Sequence, residues 1–133
     1  MTIIESTVEI NLPIDSVYNF LEDLNNHQQL MPDNIYNWSS TKDEASFTIQ
    51  NMAKLAIKIS SRTPNSEIIA IPTEKPPFDL ELKWTVTPTA NNGTIAKHII
   101  SADLNMMLKM IAAGPLQKLA DYQTQKLKET LTK

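Results

Sequence analysis

Along the first ten residues apolar and polar side chains alternate. Ile4, Ser6, Val8 and Ile10 fall on one face of an extended chain, and Glu5, Thr7 and Glu9 fall on the other. A period of two predicts a half-buried first strand. At Pro13 the period changes to that of a helix, with Val17, Phe20, Leu21 and Leu24 on one stripe. Pro13 opens this segment and Asp15 lies in its first turn, where the helix dipole favours a negative charge. Asn25 and Asn26 either stop that helix or cap a second short one over residues 27–31, ahead of Pro32.

From Ile35 onward the period of two returns. Tyr36 and Trp38 share a phase, and Thr41-Lys42-Asp43-Glu44 reads as a hairpin turn. Ala45, Phe47 and Ile49 then alternate with Ser46, Thr48 and Gln50, and Leu55, Ile57 and Ile59 with Lys54, Lys58 and Ser60. Thr63-Pro64-Asn65-Ser66 is turn chemistry, residues 67–71 predict a further strand, and Pro72, Pro76 and Pro77 mark a stiff loop at a rim. The cleanest alternation spans residues 78–87, where Leu80, Leu82, Trp84 and Val86 oppose Asp79, Glu81, Lys83 and Thr85. Asn91-Asn92-Gly93 supplies residues tolerant of positive φ for a hairpin turn into a last strand over 94–104. Ala96, His98, Ile100, Ala102 and Leu104 form its apolar face, with Lys97, Ser101 and Asp103 on the other.

The remainder is helical: a first piece over residues 105–113, Gly114-Pro115 as a kink or fresh start, and a second piece over 116–131. Leu116, Leu119, Ala120, Gln123, Leu127 and Leu131 make one stripe of the second piece, against Lys118, Asp121, Gln125, Lys128 and Glu129. Such a stripe needs a sheet to bury it. The order β-α-α, six strands, then a long helix predicts a single α+β domain over residues 1–133, with antiparallel neighbours joined by short turns.

Composition narrows the function classes. The 133 residues are 41% hydrophobic, enough for one core without staples, and the absence of cysteine removes thiolate nucleophiles and Cys-ligated metals and fits a cytoplasmic setting. Glu5 and Glu9 stand where a secretory signal needs a basic region and then an apolar run. The richest apolar stretch, residues 106–116, is broken by Lys109, Gly114 and Pro115, which argues against a membrane span. With a net charge of −3 and Arg62 as the only arginine, nucleic acid is not an expected partner.

The opening Ile10-Asn11-Leu12-Pro13-Ile14-Asp15-Ser16-Val17-Tyr18-Asn19-Phe20-Leu21 with Asp23, then Leu30-Met31-Pro32 and the hairpin Trp84-Thr85-Val86-Thr87-Pro88 to Gly93-Thr94, resemble the START-like helix-grip superfamily. That superfamily is also labelled SRPBCC or polyketide cyclase/dehydrase-like, and the likeness covers nearly the whole chain. It implies a curved sheet gripping the C-terminal helix, with a cavity between them for an apolar small molecule. It does not imply one activity, because relatives include carriers, hormone sensors, cyclases and chaperone-activating domains.

Candidate chemistry is sparse. His98 places a titratable ring on the apolar face of the last strand, either as a cavity contact that would tie the affinity of an anionic ligand to mildly acidic pH, or as a satisfied core histidine. Ser101 and Asp103 point the other way, so a Ser-His-Asp triad is not formed on this strand. Gln123 interrupts an apolar stripe beside Tyr122 and needs a partner if buried. Met107 and Met110, with Met106, would suit a gate or plain core filler. The expected cavity lining is therefore His98, Trp84, Trp38, Phe47, Ile57, Leu82, Ile100, Met107, Met110, Leu119, Tyr122 and Gln123. His27, on a short helix remote in sequence from the last strand, has no comparable phase argument and leaves His98 without a metal partner, so neither metal nor cofactor is expected. Binding or transport of a lipid-like or aromatic molecule is the favoured reading. The alternative is a cyclase, dehydratase or hydrolase using His98, Tyr122 and Gln123, and a homodimer or protein-partner role is a third option.

Overall fold

The first strand, β1 (Thr2–Ile10), lies antiparallel to the last, β7 (Thr94–Ala102), in a register running from Thr2 opposite Ala102 to Ile10 opposite Thr94. Between them come α1 (Ile14–Leu21), α2 (Leu24–His27), a 3-10 turn (Gln28–Leu30), β2 (Ile35–Ser40), β3 (Glu44–Ile49), β4 (Ala53–Thr63), β5 (Glu67–Pro72) and β6 (Leu80–Pro88), and α3 (Met106–Leu131) follows. The computed structural model describes residues 2–50, 53–73 and 79–132. Among these, seven strands form one antiparallel sheet in the order β1-β7-β6-β5-β4-β3-β2, curled around α3 in an α+β helix-grip arrangement. Pro76, Pro77 and Phe78, expected in a rim loop and at a strand start, lie outside the described residues.

β1, β3, β4, β6 and β7 turn the expected apolar set inward, from Ile4 and Ile10 on β1 to Ala96, His98, Ile100 and Ala102 on β7, and α3 closes over them with Leu116, Ala120, Gln123, Thr124 and Leu127. Leu127 and Leu21 are fully buried, worth about 1.5–3 kcal/mol each in apolar area removed from water. A hydroxyl pair, Ser6 Oγ to Thr124 Oγ1 at 2.7 Å, links the edge strand to the helix. Arg62 works as a clasp. Its guanidinium donates to the Glu22 carbonyl at 2.8 and 3.2 Å and to the Lys42 carbonyl at 3.2 Å, and it pairs with Asp43 at 2.8 Å. One cation thereby ties β4 to the end of α1 and to the β2–β3 turn.

Four local expectations are corrected. Tyr36 and Trp38 do not share a face: Asn37 adopts φ 57°, the β2–β3 register shifts between Tyr36 and Ser39, and Trp38 turns inward while Tyr36 stays exposed. The short helix begins at Leu24, capped by the Asp23 carboxylate on the Asn25 N–H at 2.9 Å, and is followed by the 3-10 turn. The last strand ends at Ala102, because Asn105 caps α3 through the Leu108 N–H at 2.9 Å. That helix runs unbroken through Gly114 and Pro115, both of which face solvent. In the β6–β7 hairpin it is Asn92, at φ 61°, that takes the left-handed conformation. Gly93 is needed for closeness instead, since a Cβ there would sit 3.0 Å from the Ile10 carbonyl oxygen and from Thr89 Oγ1.

Candidate functional site

The inward faces of the strands and α3 do not meet completely. They leave a cavity of about 60 Å³ lined by residues of β2 to β7, of α2 and its following turn, and of the middle of α3. His98, Trp84, Trp38, Phe47, Ile57, Leu82, Ile100, Leu119 and Gln123 all border it. Met107, Met110 and Tyr122 do not. The two methionines are 72% and 83% exposed and Tyr122 is 41% exposed, since the buried residues of α3 start at Ala112 and Tyr122 sits next to the buried stripe without belonging to it. The methionine gate and the His98–Tyr122–Gln123 trio are therefore not assembled.

Leu24, His27 and Met31 enter the lining unannounced. Their signal was the spacing Leu24, His27, Met31 at i, i+3, i+7, which gives the helical excursion after β1 an inward face. His27 is accordingly no remote residue. Its ring meets Trp84 edge-on at 6.4 Å and 87°, and Trp84 in turn stacks on His98 at 4.3 Å and 21°. Trp38 stacks on Phe47 at 5.2 Å and 14° at the other side of the sheet.

Both histidines are held neutral. Burial pushes His98 down to about 3, the nearby His27 adds to the shift, and the Lys83 carbonyl and the Gln123 amide oppose it without prevailing. His27 is lowered chiefly by burial, against the Leu21 carbonyl and Asp23. In the free protein burial therefore favours the neutral His98 ring through the mildly acidic range. The tautomers follow from the partners: His27 Nε2–H donates to the Leu21 carbonyl at 2.7 Å, and His98 Nδ1–H donates to the Lys83 carbonyl at 3.2 Å. Among the described residues, no lysine, arginine or carboxylate lines the cavity.

Two polar atoms in this lining have no partner. Trp38 Nε1 and Gln123 Oε1 are buried and unbonded, although the Gln123 amide nitrogen reaches Met31 Sδ at 3.2 Å. Buried groups of this kind cost about 1–3 kcal/mol each, so a native structure that retains them asks for an explanation. A ligand or a trapped water supplies one. Among the described residues no cluster of three or more His, Asp or Glu side chains is placed to hold a metal ion, and no helix is long and apolar enough to cross a membrane.

No protein-family model matches the chain, and no curated protein matches it in sequence. Solved structures do. The chain is similar to KanY protein (TM-score 0.80, 14% identity, 99% of this chain and 98% of that one) and to TTHA0849 from Thermus thermophilus (TM-score 0.78, 13% identity, 98% and 97%). It is also similar to Aha1 from Colwellia psychrerythraea, whose solution structure is a dimer (TM-score 0.68, 16% identity, 98% and 96%). At these identities the likeness shows the fold alone.

Proposed function

We propose that this chain is a START-like (SRPBCC) domain that binds an apolar small molecule in the cavity between sheet and α3. The observation that carries this reading is the pair of unpartnered polar atoms, Trp38 Nε1 and Gln123 Oε1, in an otherwise apolar lining. Recognition sites have this make-up: apolar walls give affinity and a few polar atoms fix orientation. At about 60 Å³ the space is less than half the roughly 150 Å³ that admits benzene, so a ring or chain enters as the half-buried Met31, Leu80 and Leu119 move aside. Met31 is suited to this by its flexible thioether.

A carrier or sensor fits better than an enzyme. Acid–base work near neutrality needs a group that titrates there, and His98, lowered to about 3, is not one. Native mass spectrometry of freshly purified protein should reveal a co-purifying small molecule. Added ligand should raise stability by about 2.7 kcal/mol at a hundredfold excess over Kd. Protein that is empty on purification, and whose melting temperature is unmoved by single-ring aromatics, fatty alcohols and isoprenoids, would not be a carrier of this kind.

A second reading, association with another chain, has its own observation: Met106, Met107, Met110 and Ile111 are exposed together at the start of α3. The Aha1 dimer among the similar structures is compatible with self-association. Sedimentation over a wide concentration range decides it, a dimer that Met107→Lys dissociates being the supporting result.

A further inference from the structure

We propose that the polar pole of the cavity is built to receive an uncharged hydroxyl group, which donates its hydrogen to Gln123 Oε1. This rests on the cavity reading above and adds the chemical class of the ligand.

Several polar atoms at this pole are already committed. Met31 Sδ can only accept, so the Gln123 atom 3.2 Å from it is the amide nitrogen, and Oε1 is the end left over. Gln123 is 6% exposed, which denies Oε1 bulk water. His98 is likewise buried, and its Nδ1–H is spent on the Lys83 carbonyl, so a neutral ring offers its lone pair at Nε2. The Gln123 amide lies close enough to that ring to favour its protonated form. Both residues border the same cavity, and Gln123 Oε1 is its buried acceptor without a donor.

The chemistry of a complementary group follows. A hydrocarbon leaves Oε1 unpaired, and an ether or ketone oxygen adds a third acceptor. A carboxylate brings negative charge to an acceptor in a lining that, among the described residues, has no lysine or arginine. An ammonium group supplies donors, but also a charge that no carboxylate among the described lining residues balances. A hydroxyl supplies one donor and no charge. The other unpartnered atom, Trp38 Nε1–H, is a donor and calls for an acceptor oxygen elsewhere on the ligand.

Phenol, anisole, toluene and benzoate form a single-ring series that separates these cases, with affinity for the full chain read from tryptophan fluorescence and amide NMR shifts at neutral pH. Phenol should bind about tenfold more tightly than anisole or toluene, with benzoate weakest. Gln123→Met should bring phenol to within about twofold of toluene and leave toluene unchanged. Equal affinities for phenol, anisole and toluene, as when a resident water already satisfies Oε1, would overturn the hydroxyl assignment while leaving the apolar cavity reading intact. So would benzoate binding most tightly, or a phenol preference that survives in Gln123→Met. Failure of all four to bind would overturn the hydroxyl assignment, and the cavity reading falls with it only if fatty alcohols and isoprenoids fail as well. The ranking in the wild-type protein decides the class even if the variant does not fold.

Discussion

His98 shows how one side chain couples packing to pH. Unfolded, it titrates near the ordinary value of 6.5, and folded it titrates at about 3. Between those limits the unfolded chain binds the proton that the folded ring refuses, so stability is full above 6.5 and falls as pH drops toward 3, by about 1 kcal/mol per pH unit. His27, lowered for the same reason, acts in the same direction. Urea unfolding at pH 7.5, 5.5 and 4.5 should show His98→Phe losing less stability on acidification than wild type, and parallel losses would place the depressed titration elsewhere. Gln123 gives the opposite kind of test. If its carbonyl is an unsatisfied acceptor kept for a ligand, Gln123→Met should raise the stability of the empty protein by about 1 kcal/mol. A loss of stability in that variant would assign Gln123 a structural role.

At the scale of elements, the two glycines are unlike. Gly114 lies on the exposed side of α3, and a Cβ there would meet nothing within 4 Å. Gly114→Ala should therefore stabilise by about 0.5–1 kcal/mol through helix propensity. Gly93→Ala should destabilise by about 1–3 kcal/mol, because its Cβ would press on the backbone oxygen of Ile10 where the hairpin passes the end of β1. Thermal unfolding of the two variants should move the midpoint in opposite directions. The same contrast runs through α3 as a whole: its C-terminal half is held by the sheet, whereas its first turns, with Met106, Met107 and Met110 at 72–83% exposure, have no such support.

In the whole molecule, the curl of the sheet brings the strand-only half of the chain against the helices after β1, and Arg62 holds that junction. Arg62→Lys keeps the charge but loses the planar fork that serves two carbonyls and a carboxylate, and should cost about 1–3 kcal/mol. Lys42→Ala, which removes an exposed ion pair with Glu22 at 3.4 Å, should cost less than about 1 kcal/mol in the same urea titration. Equal costs would mean that the Arg62 carbonyl contacts hold nothing together.

What could be read from the chain alone was whatever repeats at a fixed period. Alternation along β1, β3, β6 and β7 identified their inward residues, and the stripe from Leu116 to Leu127 identified the face of α3, because each pattern records one element meeting one core. Most of the cavity lining followed from those phases, and so did the element order. Trp38 faces inward although its assumed partner in phase, Tyr36, does not, since a single positive φ at Asn37 reset the phase between them. Tertiary structure alone decided that His27 joins Trp84 and His98 in one ring cluster, that the methionines at the start of α3 are exposed, and that Gln123 Oε1 and Trp38 Nε1 are left without partners. These depend on the distance between elements far apart in sequence and on where each element ends relative to its neighbour. Periodicity carries no information about either.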